Sequence, residues 1–451
     1  MSKNNILSQL PMDLGDNLKL RFATSDDTDA LAEFNARLHE AESIGPGVRD
    51  LMSGNHPTCK ASDFTVVEDT ETGKIVSSTC LISQTWTYSG IPFKFGQPEL
   101  VATEPAYRRR GLVRKQFDVI HALSEARGEL MLGITGSPWY YRMFGYEMAL
   151  DMEAAQVIDK MHIPKLKKAE TETCRLRPRT DADNTFIQEL YANAIESHVF
   201  ACPRTPALWE YEFNGRSAGS DARHEWRIIE DLEGTQLGYV QHLQWCIEGF
   251  CESGAPGTNL LVMRMELKPG VGYLHLIRSL LRALWKKAEA TPIAPEINNR
   301  ETTGVQFILG REHPVHNVFP KDAVRKEPPY AWYIRVPDLV AFLQHIQPAL
   351  EKHLIGTVAE GYTGELKINF YRSGIHLKFH HGTLKEIADW TPDDIEAGDA
   401  QFPELTFLQL LCGRCRTAEL ASNFVDCWTN DTAAILLDCL FPEFTSEIWH
   451  L

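Results

Sequence analysis

Three arginines and a glycine carry the chemistry that can be read most directly from this chain. Arg108, Arg109, Arg110 and Gly111 form a turn that follows an apolar strand, Phe95 to Ala102. An amphipathic run comes next, Leu112-Val113-Arg114-Lys115-Gln116-Phe117-Asp118-Val119-Ile120, with its apolar side chains at helical spacing. Gly111 removes a side chain where that helix begins, so the first-turn N–H groups face open space and suit a phosphate. The neighbouring guanidinium groups add positive charge where a pyrophosphate would lie. Strand, arginine turn and helix start together predict an anion cradle. Further along stands an aromatic block, Trp139-Tyr140-Tyr141-Arg142-Met143-Phe144-Gly145-Tyr146-Glu147.

The elements around the cradle read as one α/β unit over residues 17–155. Leu18 to Phe22 alternates like a strand, and Thr24-Ser25-Asp26-Asp27 offers cap residues before Ala30, Leu31, Phe34 and Leu38 at helical spacing. Phe64 to Glu68 and Lys74 to Ile82 flank a turn at Thr70-Glu71-Thr72-Gly73, and a second strand pair meets at Ser89-Gly90. Residues 172–330 echo this order. Leu176 to Asp183 parallels the Leu20 to Asp27 opening, and Glu233-Gly234 joins a second hairpin. Where the cradle should recur, Met265-Glu266-Leu267-Lys268-Pro269-Gly270-Val271-Gly272-Tyr273-Leu274 lacks the arginine row, so the repeat is expected to hold no coenzyme. Ala331 to Asp338 ends that unit and opens a third, residues 331–451, with a helix capped by Asp338 and alternating strands around Ser373-Gly374.

Composition bounds the function. A chain of 451 residues with 43% hydrophobic and 24% charged residues reads as a globular protein of about two to four domains. Its longest apolar runs fall far short of the ~20 residues of a membrane span, and the N-terminus has no apolar core of a secretory signal. A cytoplasmic location is expected. The net charge of −16 opposes nucleic-acid binding and suits a cationic substrate. Of ten cysteines only Cys412 and Cys415 form a CxxC pair, and no second pair completes a metal site, so buried thiols and no metal are expected.

The arginine turn resembles motif A of the GNAT acetyltransferase superfamily, which reads Arg or Gln, two residues, Gly, one residue, then Gly or Ala. Arg108, Gly111 and Val113 fill those places, Val113 departing from the small residue usual there. The aromatic block resembles the superfamily's second signature, a Tyr followed four residues on by Gly and an aromatic, matched by Tyr141, Gly145 and Tyr146. Two such repeats, the second degenerate, followed by a sterol-carrier-protein-like α+β domain, resemble the Eis (enhanced intracellular survival) N-acetyltransferases. Arg108-Arg109-Arg110-Gly111-Leu112 fits that family closely.

The resemblance implies an acetyl-CoA-dependent enzyme that acetylates a primary amine of an aminoglycoside- or polyamine-like cation or of a protein lysine, and that assembles as a homo-oligomer, a hexamer. It implies that Val101, Ala102 and Thr103 offer backbone groups to the pantetheine arm, that the turn from Arg108 through Arg114 holds the pyrophosphate, and that Gly136 and Ser137 line the coenzyme near its sulfur. Tyr141 is the implied general acid. The implied base is the terminal carboxylate of Leu451, with His450 or water as alternatives. Asp26, Glu33 and Glu40 are candidates to attract a cation. The rival reading is a non-catalytic lipid- or acyl-CoA-binding protein built on the sterol-carrier-like region.

Overall fold

The computed structural model describes residues 6–152, 154–248, 257–297, 300–319, 324–444 and 448. It begins with β1 (Met12–Gly15), β2 (Leu18–Phe22), α1 (Thr28–Leu38), α2 (Ile44–Met52), β3 (Phe64–Asp69), β4 (Lys74–Tyr88), β5 (Ile91–Thr103), α3 (Leu112–Arg127), β6 (Met131–Ile134) and β7 (Glu147–Met152). There follow β8 (Ala155–Asp159), β9 (Arg175–Pro178), α4 (Asn184–Ile195), β10 (Phe200–Ala201), α5 (Pro206–Glu210), β11 (His224–Glu230), β12 (Gln236–Glu248), β13 (Thr258–Leu267), α6 (Tyr273–Ala290), β14 (Thr302–Ile308) and β15 (Val324–Glu327). The last part holds β16 (Tyr330–Arg335), α7 (Leu339–His345), α8 (Gln347–Leu354), β17 (Gly364–Asn369), β18 (Gly374–His380), β19 (Thr383–Trp390), β20 (Ala400–Gln401), α9 (Glu404–Leu411), α10 (Thr417–Asn423), β21 (Trp428–Thr429) and α11 (Asp431–Leu440). The class is α+β.

The described strands form three sheets. The first runs β1-β2-β3-β4-β5-β6-β16-β7, with β10 added beside β4. The second runs β15-β8-β14-β13-β12-β11-β9, and the third β19-β18-β17-β20-β21. The first two sheets exchange strands: β8 pairs with β14 and β15, while β16 lies antiparallel between β6 and β7. The segment read from sequence as a junction, Ala331 to Asp338, is thus largely an interior strand of the first sheet. Ala331, Trp332, Tyr333 and Ile334 are all buried, which is the near-continuous apolar run an interior strand needs.

One local device opens both of the first two sheets. The Thr24 and Asp27 side chains cap each other's backbone ahead of α1, and Arg21 binds Asp27 twice at 2.8 Å and Glu68 at 2.8 Å. Ahead of α4, Thr180 and Asp183 repeat the box, and Arg177 binds Asp183 twice at 2.7 Å and Glu230 at 2.7 Å. In each case an arginine on the first long strand ties the helix start to the hairpin, a charge-assisted bidentate pair that fixes the angle of entry.

Side chains of β16 alternate between two cores. Trp332 packs edge-on to Trp86 at 5.5 Å within the cluster joining the first sheet to the third, and its Nε1 donates to the Ile448 carbonyl at 3.0 Å. Tyr333 faces the other way, into a cluster with Phe117, Tyr141 and Tyr146. Trp332→Ala should destabilise the protein by about 3–5 kcal/mol, the cost of emptying a fully buried aromatic site. A denaturant titration checks this, and a change below ~1 kcal/mol would contradict the role given to β16.

Candidate active site

Strands β5 and β6 are parallel partners only at Phe95–Met131 and Gly96–Leu132. Glycine is required at this crotch: a Cβ at Gly96 would collide with the Glu129 carboxylate, and one at Gly133 would meet the Phe95 ring at 2.5 Å. Beyond it β5 stays paired with β4 through Thr103, while β6 turns to β16. The outer edge of β5 from Gln97 onward has no strand opposite it among the described residues. A cleft opens there.

A cavity of about 690 Å³ fills the mouth of the cleft, lined by Val101, Ala102, Thr103, Arg108, Arg109, Gly111, Leu112, Val113, Arg114, Ser137 and Tyr141. Sequence reading placed all of these at one site. Gly111 has φ 75° and Arg109 φ 64°, two left-handed residues that turn successive N–H groups toward one side ahead of α3. No side chain caps α3, so its first-turn donors remain open to an anion. Arg108 reaches back to the Thr103 carbonyl at 3.2 Å, and Arg114 lies over the Phe144 ring at 5.2 Å. Arg110 is not in the lining. Its guanidinium covers the Tyr107 ring at 5.1 Å, while the Tyr107 hydroxyl is held by Asp69 at 2.6 Å. Gly136 is also outside the lining and supports it through its carbonyl, which accepts from the Tyr330 hydroxyl at 2.5 Å. Sequence reading missed Leu38 and His39 from the end of α1, and Tyr140, Met143 and Phe144. Asp26, Glu33 and Glu40 are exposed and take no part in this lining.

Tyr141 stands in a short 3-10 turn, Tyr140–Phe144, and is 6% exposed. Its ring meets Tyr333 edge-on at 5.5 Å and Phe117 at 6.0 Å. Burial, with the Glu99 charge adding to it, pushes its hydroxyl well above the ordinary value, so it stays protonated throughout the physiological range.

Glu99, not singled out in the sequence, lies near enough to Tyr141 for its charge to act there. It precedes Leu100, which has φ 56° at a register shift between β4 and β5. This bulge redirects the side chains on either side of it. Hydroxyls of Thr79 and Ser78 take up the displaced carbonyls of Glu99 and Leu100, at 3.1 and 3.2 Å. A line of amides then aims at the carboxylate: Trp86 Nε1 donates to Gln84, Gln84 to Gln97, and Gln97 Nε2 to Glu99 Oε1 at 2.7 Å. Glu99 is half-buried on β5, with dense protein around its carboxylate. That burial raises its carboxyl to about 7, against the Gln97 hydrogen bond and with Asp221 repelling it. Asp221 is raised to about 6, by burial first and by Glu296 in part. It arrives on the loop before β11, whose Ser217 N–H donates to Asp50 at 2.8 Å and whose Asp221 N–H donates to the Ser43 carbonyl at 3.3 Å. The Glu99 carboxylate thus stands near enough to Tyr141 for its charge to act on that hydroxyl. No spacing rule identifies Glu99, because the bulge that aims it is a feature of strand pairing.

The second sheet closes the equivalent place. β13 and β14 also part, after Val262–Phe307. The Met265 carbonyl beyond that point receives the Tyr273 hydroxyl at 3.0 Å and lies 2.9 Å from His313 Nε2. Val315 and Phe319 fill the space beside them. Gly272, at the start of α6, has φ −100° and not the left-handed turn of Gly111. Among the described residues no group of three or more His, Cys, Asp or Glu is arranged to hold a metal. No described helix is long and apolar enough to cross a membrane. Trp449, His450 and Leu451 lie outside the described residues.

Residues 19–149 match the family described as an acetyltransferase (GNAT) domain. This stretch is a GNAT acetyltransferase domain. No curated protein matches the chain by sequence. Among solved structures, a GCN5-related N-acetyltransferase of Anabaena variabilis is similar over 95% of this chain and 98% of its own, at 14% identity and a TM-score of 0.64. A probable N-acyltransferase of Enterococcus faecalis is similar over 94% and 97%, at 12% identity and a TM-score of 0.62. Eis1 of Mycobacterium abscessus is similar over 95% and 98%, at 12% identity and a TM-score of 0.58. The enzyme class is acyl transfer, and GNAT domains use acetyl-CoA as co-substrate. Gly111→Asp should weaken coenzyme A binding by at least ~10-fold, since it sets a carboxylate and a strained left-handed residue at the helix start. Isothermal titration measures this, and unchanged affinity would remove the cradle from the site.

Proposed function

We propose that this chain transfers the acetyl group of acetyl-CoA to a primary amine of a cationic acceptor, an aminoglycoside- or polyamine-type molecule or a protein lysine. The observation that carries the reading is the cavity that joins the arginine turn and α3 start to Tyr141, with the half-buried Glu99 carboxylate on β5 close enough for its charge to act on Tyr141. An ammonium group near pKa ~10 is drawn to such a carboxylate and must lose its proton before it can attack. Glu99, poised near 7, accepts that proton. The amine nitrogen then bonds to the thioester carbonyl carbon, and a free N–H of the β5 edge stabilises the oxyanion. As the carbon–sulfur bond breaks, Tyr141 gives its proton to the departing thiolate. The same burial that holds the Tyr141 hydroxyl protonated also raises the proton affinity of a thiolate formed against it, so the two remain matched.

Val101 to Thr103, Arg108, Arg109 and Gly111 to Arg114 are proposed to hold the coenzyme, with Ser137 near its sulfur. This is supported by their shared cavity. The recurring Arg–Asp–Glu tie supports reading the first two sheets as tandem units, and the plugged second splay supports a coenzyme site in the first alone. A five-stranded third sheet packed with helices supports a sterol-carrier-like unit at the end of the chain. The rival reading as a lipid or acyl-CoA carrier gives no role to Glu99 or Tyr141.

A thiol-release assay with acetyl-CoA against polyamines, aminoglycosides and lysine peptides tests the function. No release with any amine would refute it. Tyr141→Phe should keep coenzyme affinity while turnover falls by roughly 10²- to 10⁴-fold. For the base, the rate should rise between pH 6 and 8 as Glu99 loses its proton, and Glu99→Gln should remove that limb. The Leu451 carboxylate is the second candidate. A chain extended after Leu451 that loses activity, with Glu99→Gln still active, would move the role to the terminus.

A further inference from the structure

The turn Gly136–Trp139 leads into the 3-10 turn that carries Tyr141, lines the same cavity through Ser137, and has a contorted backbone. Gly136 has φ 100° and Trp139 φ 68°, a left-handed state that a bulky residue adopts only when its surroundings impose it. The Trp139 side chain supplies no such restraint, being 61% exposed. Pro138 has no N–H to give, and the local bond from Tyr140 N–H to the Ser137 carbonyl is long at 3.3 Å. What restrains the turn comes from β16. The Tyr330 hydroxyl donates to the Gly136 carbonyl at 2.5 Å, and the Trp139 N–H donates to the Tyr333 hydroxyl. Tyr333 is fully buried and its ring also packs against Tyr141.

We propose that Tyr330 and Tyr333 are positioning residues for acyl transfer: their hydroxyls tie both ends of the Gly136–Trp139 turn and so set where Tyr141 stands relative to the coenzyme cavity. This rests on the function proposed above. Because β16 follows the second sheet in the chain, the first domain's site is complete only when that later segment has docked between β6 and β7. The second sheet, with its own splay filled, thereby contributes to catalysis through the strand that leaves it.

The test uses full-length Tyr330→Phe, Tyr333→Phe and the double variant, which keep the rings and remove only the hydroxyls. In the double variant kcat should fall roughly 10- to 100-fold, as for misplacement by about 1 Å. Coenzyme A affinity and the thermal midpoint should stay near those of the parent, because the arginine cradle and the aromatic packing are intact. Hydrogen exchange gives a readout independent of activity. The Trp139 amide should be protected in the parent and exchange at least ~10-fold faster in Tyr333→Phe. Unchanged kcat would overturn the proposal, as would a joint loss of kcat, coenzyme affinity and thermal midpoint, which marks a merely structural role. If the parent releases no thiol with any amine, the function reading fails and the catalytic part of this proposal with it. Exchange at Trp139 then still decides whether the tie exists.

Discussion

Everything in the candidate site depends on two strands parting. β5 and β6 share a parallel ladder only as far as Gly96 and Leu132, and the glycines at 96 and 133 let them approach that closely before they separate. Were the ladder continued, the β5 edge would be hydrogen-bonded to β6 and no donor would remain for a substrate. The split produces a cleft with strand edge on one side, the start of α3 on another and the Tyr141 turn on a third. Arginines gather at the helix-start end of this opening, and Tyr141 stands in its wall.

Keeping strands apart demands that each find other partners. For β5 the partner is β4, a long antiparallel pairing interrupted by the bulge at Leu100. For β6 it is β16, which comes from far along the chain. The exchange of β8 and β16 between the first two sheets makes each incomplete alone. Trp332 joins the first sheet to the third layer, and Tyr333 joins it to the site.

The electrostatics follow from the same geometry. Glu99 would have an ordinary acid strength if solvated, and its shift up to about 7 arises from burial, with the Asp221 charge adding to it. The Gln84–Gln97 amides restrain that shift by donating toward the ionised form. Environment, and not residue type, creates a proton acceptor suited to neutral pH.

Local features were legible in the sequence. The arginine turn, the missing side chain at Gly111, the strand before it and the helix after it are encoded within one short window, where spacing and side-chain chemistry decide the backbone. The spacing from Tyr141 to Gly145 likewise singled out a tyrosine that lies in the cavity wall. Long-range features were not legible. The buried run at Ala331 to Ile334 showed an apolar strand but could not say which sheet would receive it, and the ends of the chain could not be placed against Tyr141. Glu99 looked like any other strand glutamate, since both its direction and its acid strength come from a bulge and from neighbours on distant segments. Sequence determines what short stretches can form; strand exchange and burial, which depend on partners remote in the chain, decided which residues meet.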